Sequence, residues 1–405
     1  MSTPSIPTAH PSFADPRNAV STTSSGARLA GLDVHRGLIM AAMAIDHASV
    51  FIARTHTQEF WGVPLPTLPD QAWFWARWLS HVCAPGFALL MGIGMSLLAH
   101  ARSKAGWTPS QVRRFFVKRG LLLIALQFLT EDPAWIFGIF TTSPGAGVSH
   151  GLVPGGGSDV RIYVGVLFSL GACMALWGLL VRAPAGVIGA IGAAALLATE
   201  WLTPGPEQAS TLFAPWQRLL LIPGHTNAWE VFYPVVPWLG VVALGLLLGR
   251  AVVCDARQAQ RIAGRLALGL ALAFFAMRLG GGFGNLNEVP PGVIGLLTVV
   301  KYPPSLAYLS MTLAINLALM ASWSRLQAFA SWRWQPFTAF GRSAMMFYLA
   351  HLWLYALLGM AFRQGSSFGQ MFAMWVAGLF ILWPLCLRYD EFKRTTAADS
   401  FWRFF

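Results

Sequence analysis

The sequence predicts an all-α, polytopic transmembrane bundle of about ten membrane-spanning helices with both termini in the cytoplasm. Hydrophobic residues make up 56% of the 405 residues and charged residues only 11%, whereas about a quarter of the residues of an ordinary soluble domain are charged. Apolar runs of about twenty residues, the length that crosses a bilayer, recur along the chain. The net charge of +12 comes from basic residues scattered at the ends of these runs, which favours a topology signal over a nucleic-acid-binding surface.

The sequence divides into three parts. Residues 1–27 are rich in Ser, Thr, Pro and Ala, lack the apolar core of a signal peptide, and are predicted to form a disordered cytoplasmic tail. Residues 28–389 are predicted to hold the transmembrane bundle. Residues 390–405 are predicted to form a basic cytoplasmic tail.

The first predicted span, 32–54, places an acid and a histidine, Asp46 and His47, in the middle of an apolar helix. Ionisable groups at that depth are costly and by default indicate a functional site. Arg36, Met40, Met43 and His47 are three or four positions apart, so they share one face of the helix. Asp46 lies about 100° around the helix from His47. We therefore expect the two side chains to reach different neighbours, one holding the helix and the other doing chemistry.

The remaining spans follow from the other apolar runs. They are predicted at 71–98, 121–129 with an amphipathic extension over 112–119, 162–181, 186–202, 232–248, 266–279, 306–323, 344–362 and 371–387. A cluster of Lys and Arg within 102–119 makes the loop between the second and third spans cytoplasmic by the positive-inside rule. Most of the 28 Lys and Arg residues then lie inside. Long outward loops are expected at 131–160, 204–230 and 280–304.

The cysteines and histidines do not form a metal-site pattern. Cys83, Cys173, Cys254 and Cys386 lie within or beside predicted spans without C-x-x-C spacing. We interpret them as buried thiols that form neither disulfides nor metal sites. No H-x-x-x-H or H-E-x-x-H pair occurs, so no metal is expected.

Five stretches of the sequence resemble one known family when they are taken together. They are RLAGLDVHRGLIM with the Asp46-His47 pair that follows it, APGFALLMGIG, YPVVPWLGV, KYPPSL and FGRSAMMFYLAH. In this order, over about residues 28–388, they resemble the catalytic domain of heparan-alpha-glucosaminide N-acetyltransferase and its bacterial relatives, which are transmembrane acyltransferases. The resemblance implies transfer of an acyl group, typically acetyl from cytosolic acetyl-CoA, to an amine or hydroxyl of an extracytoplasmic sugar or glycan.

A histidine suits the chemistry that this resemblance implies. An acyl-CoA thioester is already activated, so the enzyme has to deprotonate the acceptor and stabilise an oxyanion. Histidine is a base at neutral pH, and it can also accept the acyl group itself. His47 is the first candidate, with Asp46 as its support. In lysosomal members the position that matches His47 reads as asparagine, and the catalytic histidine lies nearer the outer end of the helix, closest to His56 here. The bacterial relatives resemble this chain in keeping the Asp-His pair, which favours His47.

A third histidine and several arginines complete the candidate site. His351 is predicted to line the same cavity with Arg342 and Tyr348. The phosphates of acetyl-CoA call for a basic cytoplasmic entrance, for which the candidates are Arg36, Arg114, Arg119 and Arg342. Each candidate has a structural alternative, because basic residues at inner helix ends follow from topology alone. Likewise His47 could bond a neighbouring helix, and Asp46 could pair with an arginine such as Arg278.

Two functions from different classes therefore remain open. The first is an acyltransferase of the inner (plasma) membrane whose partners are acyl-CoA, a glycan acceptor and membrane lipid. The second is a proton- or ion-coupled transporter in which Asp46, His47 and His351 relay protons at the midplane. One tunnel from a basic inner mouth to the level of Asp46 and His47 favours the enzyme, and two pseudo-symmetric halves favour the transporter.

Overall fold

The computed structural model describes residues 22–55, 57–142, 162–208, 213–226, 228–328, 335–396, 400 and 402. His56 and most of the predicted N-terminal tail lie outside these ranges. Seven helices within them are long and apolar enough to cross a membrane: Ala30–Ala53, Gln71–Lys104, Pro109–Ile139, Ala185–Leu202, Val235–Cys254, Ala256–Gly280 and Phe368–Thr395. Three shorter apolar helices, Val166–Leu180, Leu306–Ala321 and Ala344–Gly359, coincide with the other predicted spans. That these three also cross the membrane stays a prediction.

The described elements run in the following order. The helices are α1 (Thr22–Ala48), α2 (Gln71–Ser80), α3 (Cys83–Lys104), α4 (Pro109–Leu126), α5 (Asp132–Thr142), α6 (Val166–Leu180), α7 (Ala185–Leu202), α8 (Pro215–Leu220), α9 (Val235–Cys254), α10 (Ala256–Gly280), α11 (Gly292–Leu297), α12 (Leu306–Ala321), α13 (Trp323–Ala328), α14 (Gln335–Arg342), α15 (Ala344–Gly359) and α16 (Phe368–Thr395). The strands are β1 (Ile162–Val164), β2 (Gly224–His225) and β3 (Trp229–Val231). Two π-helical segments, Ser49–Ala53 and Gln127–Glu131, follow α1 and α4, and such segments are frequent at functional sites.

The first helix lies at the centre of the bundle. In its most apolar window 78% of the residues are buried, compared with 22% for α7, α10 and α16, so α1 is surrounded by protein and the other three are peripheral. Helices α1 and α14 cross at very short distance, and each has a glycine at the crossing. A Cβ on Gly37 of α1 would collide with the carbonyl of Phe337, and a Cβ on Gly341 of α14 would collide with the carbonyl of Asp33. Small residues at such a crossing let two backbones meet.

The small-residue run APGFALLMGIG of α3 packs along α9. A Cβ on Gly92 would meet the backbone of Val242, and one on Gly245 would meet the carbonyl of Leu89. Ser96 adds a 2.7 Å hydrogen bond from its hydroxyl to the carbonyl of Leu246. These contacts hold α3, which forms most of the second predicted span, closely against α9.

The predicted outward loop 131–160 begins too early. Glu131 and Asp132 continue the helix that starts at Pro109, and helical structure runs to Thr142. Their charge indicated a loop, but in the fold the carboxylate of Asp132 accepts a 2.8 Å hydrogen bond from the amide of Gln127, and Glu131 is 2% exposed. The carboxylates are thus inside the bundle.

Both ends of the bundle extend further than predicted. Helix α1 begins at Thr22, so residues 22–27 of the predicted disordered tail are helical. Helix α16 continues to Thr395, beyond the predicted boundary at 389, and carries Lys393 and Arg394 in its last turn. Cations there interact favourably with the helix dipole, which explains why a basic segment continues the helix.

A small sheet departs from the all-α prediction. Its strand order is β1-β3-β2, with β1 parallel and β2 antiparallel to β3. An isolated bridge between Phe60 and Tyr302 joins two further loop segments. Strand β1 occupies the start of the predicted span 162–181, whereas β2 and Tyr302 lie in predicted outward loops. Together these segments form a cap over the end of the bundle that is predicted to face outward, and Tyr163 and Lys301 of the cap border the candidate site.

Candidate active site

The shared face of α1 lines two adjoining cavities. An inner cavity of about 420 Å³ is bordered by Arg36 and Met40. A central cavity of about 40 Å³ is bordered by Met43 and His47. Phe87 and Tyr348 belong to the walls of both cavities. The helical spacing that predicted a shared face is confirmed, because that face borders both cavities.

The inner cavity has a basic mouth and an apolar interior. Its basic lining residues are Arg36, Arg119, Arg342 and Lys393. The interior is lined by Leu, Met and Phe side chains from α3, α4, α6 and α15. The guanidinium of Arg119 contributes a buried Nε that bonds no described residue. A cavity of this character fits an elongated ligand with an anionic head and a less polar arm.

Three of the four predicted arginines meet at this mouth. Arg36 donates a 3.0 Å hydrogen bond to the carbonyl of Gly341, and Arg342 lies 3.3 Å from Asp33. Arg114 does not line the cavity and is exposed. Lys393 lines the mouth but was not predicted, because the sequence assigned it to a tail.

His47, which borders the central cavity, pairs with His351, which is fully buried and borders neither cavity. His47 Nδ1 lies 2.6 Å from His351 Nε2, and His351 Nδ1 lies 3.0 Å from the carbonyl of Phe347. A carbonyl only accepts, so His351 Nδ1 carries the proton there and its Nε2 accepts from His47 Nδ1. The lone pair of His47 is then on Nε2. The ring of His47 also stands edge-on to Trp135, with 5.3 Å between centroids. His351 therefore sets the tautomer and the orientation of His47.

Asp46 reaches a different set of partners, as its angle on the helix predicted. Its Oδ1 accepts a 2.7 Å hydrogen bond from Arg77 Nη1 and a 3.1 Å bond from the Ser80 hydroxyl. Two of the sequence-based interpretations are corrected here. The arginine partner is Arg77, while Arg278 is engaged with Asn285 and three backbone carbonyls. The second concerns the support of His47, for which Asp46 was the candidate: in the fold, Nδ1 of His47 bonds His351.

Arg77 joins the partly buried Asp46 to a fully buried carboxylate. Its Nε and Nη2 donate to the two oxygens of Glu59 at 2.9 and 2.6 Å, and Nε2 of His81 lies 3.5 Å from Glu59. Burial alone would raise the pKa of Glu59, but the Arg77 guanidinium outweighs it and holds that pKa well below its usual range. The paired network fixes the outer loop that carries Glu59 to the helix that carries His47.

The depressed pKa of Glu59 predicts a pH-dependent stability. A carboxylate whose pKa is lower in the folded state stabilises the fold above its ordinary pKa of about 4.3, and this contribution is lost as the pH falls further. Glu59→Gln is therefore expected to lower the melting temperature clearly at pH 7, and the difference from the wild type should shrink at pH 4 and below. Thermal unfolding in detergent across this range measures it. A difference that stayed constant with pH would contradict the ionised pair.

The cysteines agree with the prediction in part. Cys83, Cys173 and Cys386 are buried free thiols, but Cys254 is free and exposed because it ends α9. Cys83 lines the central cavity, with its thiol directed at the carbonyl of Ile39. Within the described ranges no group of three His, Cys, Asp or Glu residues is placed to hold a metal ion.

Several residues of the site were not predicted from sequence. Arg77 and Glu59 pair across a loop, and Glu131, Tyr163 and Lys301 line the central cavity. The sequence did contain a signal for Lys301, because this residue begins KYPPSL, one of the five stretches that resemble the family. The others required the folded loops. His351 was predicted to line the same cavity as His47 together with Arg342 and Tyr348. Arg342 and Tyr348 border the inner cavity and Tyr348 also the central one, but His351 borders neither.

The comparison with known families agrees with the resemblance in the sequence. The family described as "Heparan-alpha-glucosaminide N-acetyltransferase, catalytic" matches residues 28–277, more than half of the chain. This range includes the first three of the five stretches, while KYPPSL and FGRSAMMFYLAH lie beyond it. No curated protein matches the chain. The match gives no support to the transporter alternative. With its apolar helices and its buried histidine site, the chain belongs to the heparan-alpha-glucosaminide N-acetyltransferase family of membrane acetyltransferases.

Proposed function

We propose that the protein transfers an acyl group, normally acetyl, from cytosolic acyl-CoA to an amine or hydroxyl of an extracytoplasmic sugar or glycan. In this proposal it is a ten-span protein of the inner membrane with both termini in the cytoplasm, and residues 28–389 form the catalytic bundle. The observation that supports the proposal is the pair of adjoining cavities, one with a basic mouth and the other bordered by His47, which share Phe87 and Tyr348 as walls.

Acetyl-CoA fits these cavities by charge and by shape. The phosphates of CoA would lie against Arg36, Arg119, Arg342 and Lys393, because guanidinium and ammonium groups form strong charge-assisted bonds with phosphate. The pantetheine arm would follow the apolar wall of the inner cavity. Eleven positions of α1 separate Arg36 from His47, which is a rise of roughly 16 Å along the helix. The thioester would then reach the central cavity past Phe87 and Tyr348.

His47 is the proposed general base. Its Nε2 takes the proton of the acceptor amine or hydroxyl as that group attacks the thioester carbonyl. The C–S bond then breaks, and CoA leaves as a thiolate that takes the proton back from the His47 imidazolium. His351 is a positioning residue in this scheme, because it bonds Nδ1 of His47 and keeps the lone pair on Nε2. Asp46 holds α1 to α2 through Arg77 and Ser80.

The test of the proposal is incubation of the purified protein with acetyl-CoA labelled in the acetyl group, with glucosamine as a trial acceptor. Label on glucosamine is the expected result. Label on the protein would indicate a two-step route through an acylhistidine. Absence of both label transfer and acetyl-CoA binding would contradict the proposal.

The mouth of the inner cavity offers a matched pair of variants. Arg119→Met is expected to raise the Kd for acetyl-CoA about 10- to 100-fold, because it removes a charge-assisted contact of about 1.5–3 kcal/mol. Arg114→Met, five positions earlier on α4 but exposed and outside the cavity, should leave the Kd unchanged. Isothermal titration calorimetry measures both. Equal Kd values for the two variants would place the phosphates elsewhere.

A further inference from the structure

Lys301 lies at the outer wall of the central cavity. Its side chain is 3% exposed and it borders the same 40 Å³ space as His47 and Asp46. The loop that carries it is fixed by its backbone: the amides of Lys301 and Tyr302 both donate to the carbonyl of Glu59, at 2.9 and 3.1 Å. Arg77 in turn bonds both carboxylate oxygens of Glu59. The backbone at Lys301 is therefore held in place by the same network of buried ion pairs as Glu59.

The ammonium of Lys301 has no anionic partner among the described residues. Its Nζ lies 5.2 Å from the ring centroid of Tyr302, and no described carboxylate comes within 4 Å of it to form a salt bridge. Two other buried cations contrast with Lys301. Arg77 bonds two carboxylates, and Arg278 bonds four oxygens.

An unpaired buried charge of this kind destabilises a fold unless something compensates for it. Acyl transfer supplies such a compensating charge. When the acceptor attacks the thioester, the new C–N or C–O bond forms and the carbonyl electron pair moves onto oxygen. The resulting oxyanion is present only until the carbonyl re-forms and the C–S bond breaks. A fixed cation in a site shielded from water stabilises such a transient charge strongly, because it needs no reorganisation during the reaction.

We propose that Lys301 is a catalytic residue whose ammonium stabilises the oxyanion at the thioester carbonyl. This inference rests on the proposed function and adds a second group to it. His47 handles the proton and Lys301 handles the negative charge, and both border a cavity only large enough for the reacting groups. The role requires no transfer of the Lys301 proton, so the stoichiometry of the reaction is unchanged.

The experiment compares Lys301→Met and Lys301→Arg with the wild type, using Lys118→Met as a control because Lys118 is exposed on α4 and lines neither cavity. Release of CoA thiol from acetyl-CoA is followed with glucosamine and with water as acceptors, and acetyl-CoA binding is measured separately. For Lys301→Met we expect kcat to fall about 10²- to 10³-fold with both acceptors. The Kd for acetyl-CoA should be unchanged, and Lys301→Arg should recover part of the rate.

The possible results separate the two proposals. A wild-type protein that neither binds nor consumes acetyl-CoA overturns the proposed function itself. A wild type that turns over while Lys301→Met retains its kcat overturns the role of Lys301 alone. A Lys301→Met variant that raises only the KM for glucosamine, with kcat unchanged, also overturns the role of Lys301 and would assign it to acceptor binding. Should Lys301→Met not fold, Lys301→Arg decides: retained kcat supports the role of the cation, and a rate as low as that of an inactive His47→Ala variant contradicts it.

Discussion

Replacing His47 with alanine is expected to lower kcat for acetyl transfer by about 10²- to 10⁴-fold, the usual contribution of a positioned general base. Binding of acetyl-CoA should persist, since the basic mouth lies in the inner cavity and His47 in the central one. Single-turnover transfer from labelled acetyl-CoA measures the first quantity and calorimetry the second. The two readouts together distinguish lost chemistry from a lost binding site.

Two further variants show whether the loss is specific. His351→Phe removes the bond to Nδ1 of His47 and should give a smaller loss, with a shifted pH profile of kcat, because the imidazole is no longer held in one tautomer. His100→Ala, at an exposed position of α3 outside both cavities, should behave as the wild type. Normal turnover by His47→Ala would contradict the assignment, and His56 would then become the candidate base.

Replacing Arg77 with methionine is expected to destabilise the protein by about 3–5 kcal/mol, the usual effect of removing one partner from a buried ion pair. The side chain is 6% exposed and its guanidinium holds both Asp46 and Glu59, so the variant removes the cation that both carboxylates share. Unfolding in detergent, followed by circular dichroism against temperature, measures the effect.

A triple variant is the control for this interpretation. Combining Arg77→Met with Asp46→Asn and Glu59→Gln removes the charges from all three groups, and it should recover a large part of the lost stability because buried ion networks are often replaceable by neutral groups. Arg182→Met, at an exposed position, should leave the melting temperature unchanged. If Arg77→Met melted with the wild type, Arg77 would not hold the outer loop in place.

Local helical geometry was predictable from the sequence. The shared face of Arg36, Met40, Met43 and His47 follows from the helical period, and the divergence of Asp46 and His47 follows from the 100° step. The same rule could have separated Arg114 from Arg119, because five positions rotate the second about 140° from the first. Only Arg119 enters the inner cavity.

The partners of the site residues were not predictable, because they come from distant parts of the sequence. His351 is 304 positions from His47 and Arg77 is 31 positions from Asp46, so no periodicity connects them. The outer cap posed a second difficulty. Arg77 lies near the start of the predicted span 71–98 and Lys301 in the predicted outward loop 280–304, yet they are 6% and 3% exposed. In a single sequence, a Lys or Arg that is buried in the fold cannot be distinguished from one that lies at the membrane surface and sets the topology.

Acetyl-CoA binding by a variant with a blocked inner cavity tests the central claim most directly. Gly94 lines that cavity, and a Cβ added there would meet no heavy atom within 4 Å, which also holds for Gly269 on α10 outside both cavities. By calorimetry, Gly94→Trp should lose acetyl-CoA binding while Gly269→Trp binds as tightly as the wild type. Equal binding by the two variants would contradict the claim that acyl-CoA reaches His47 through this cavity.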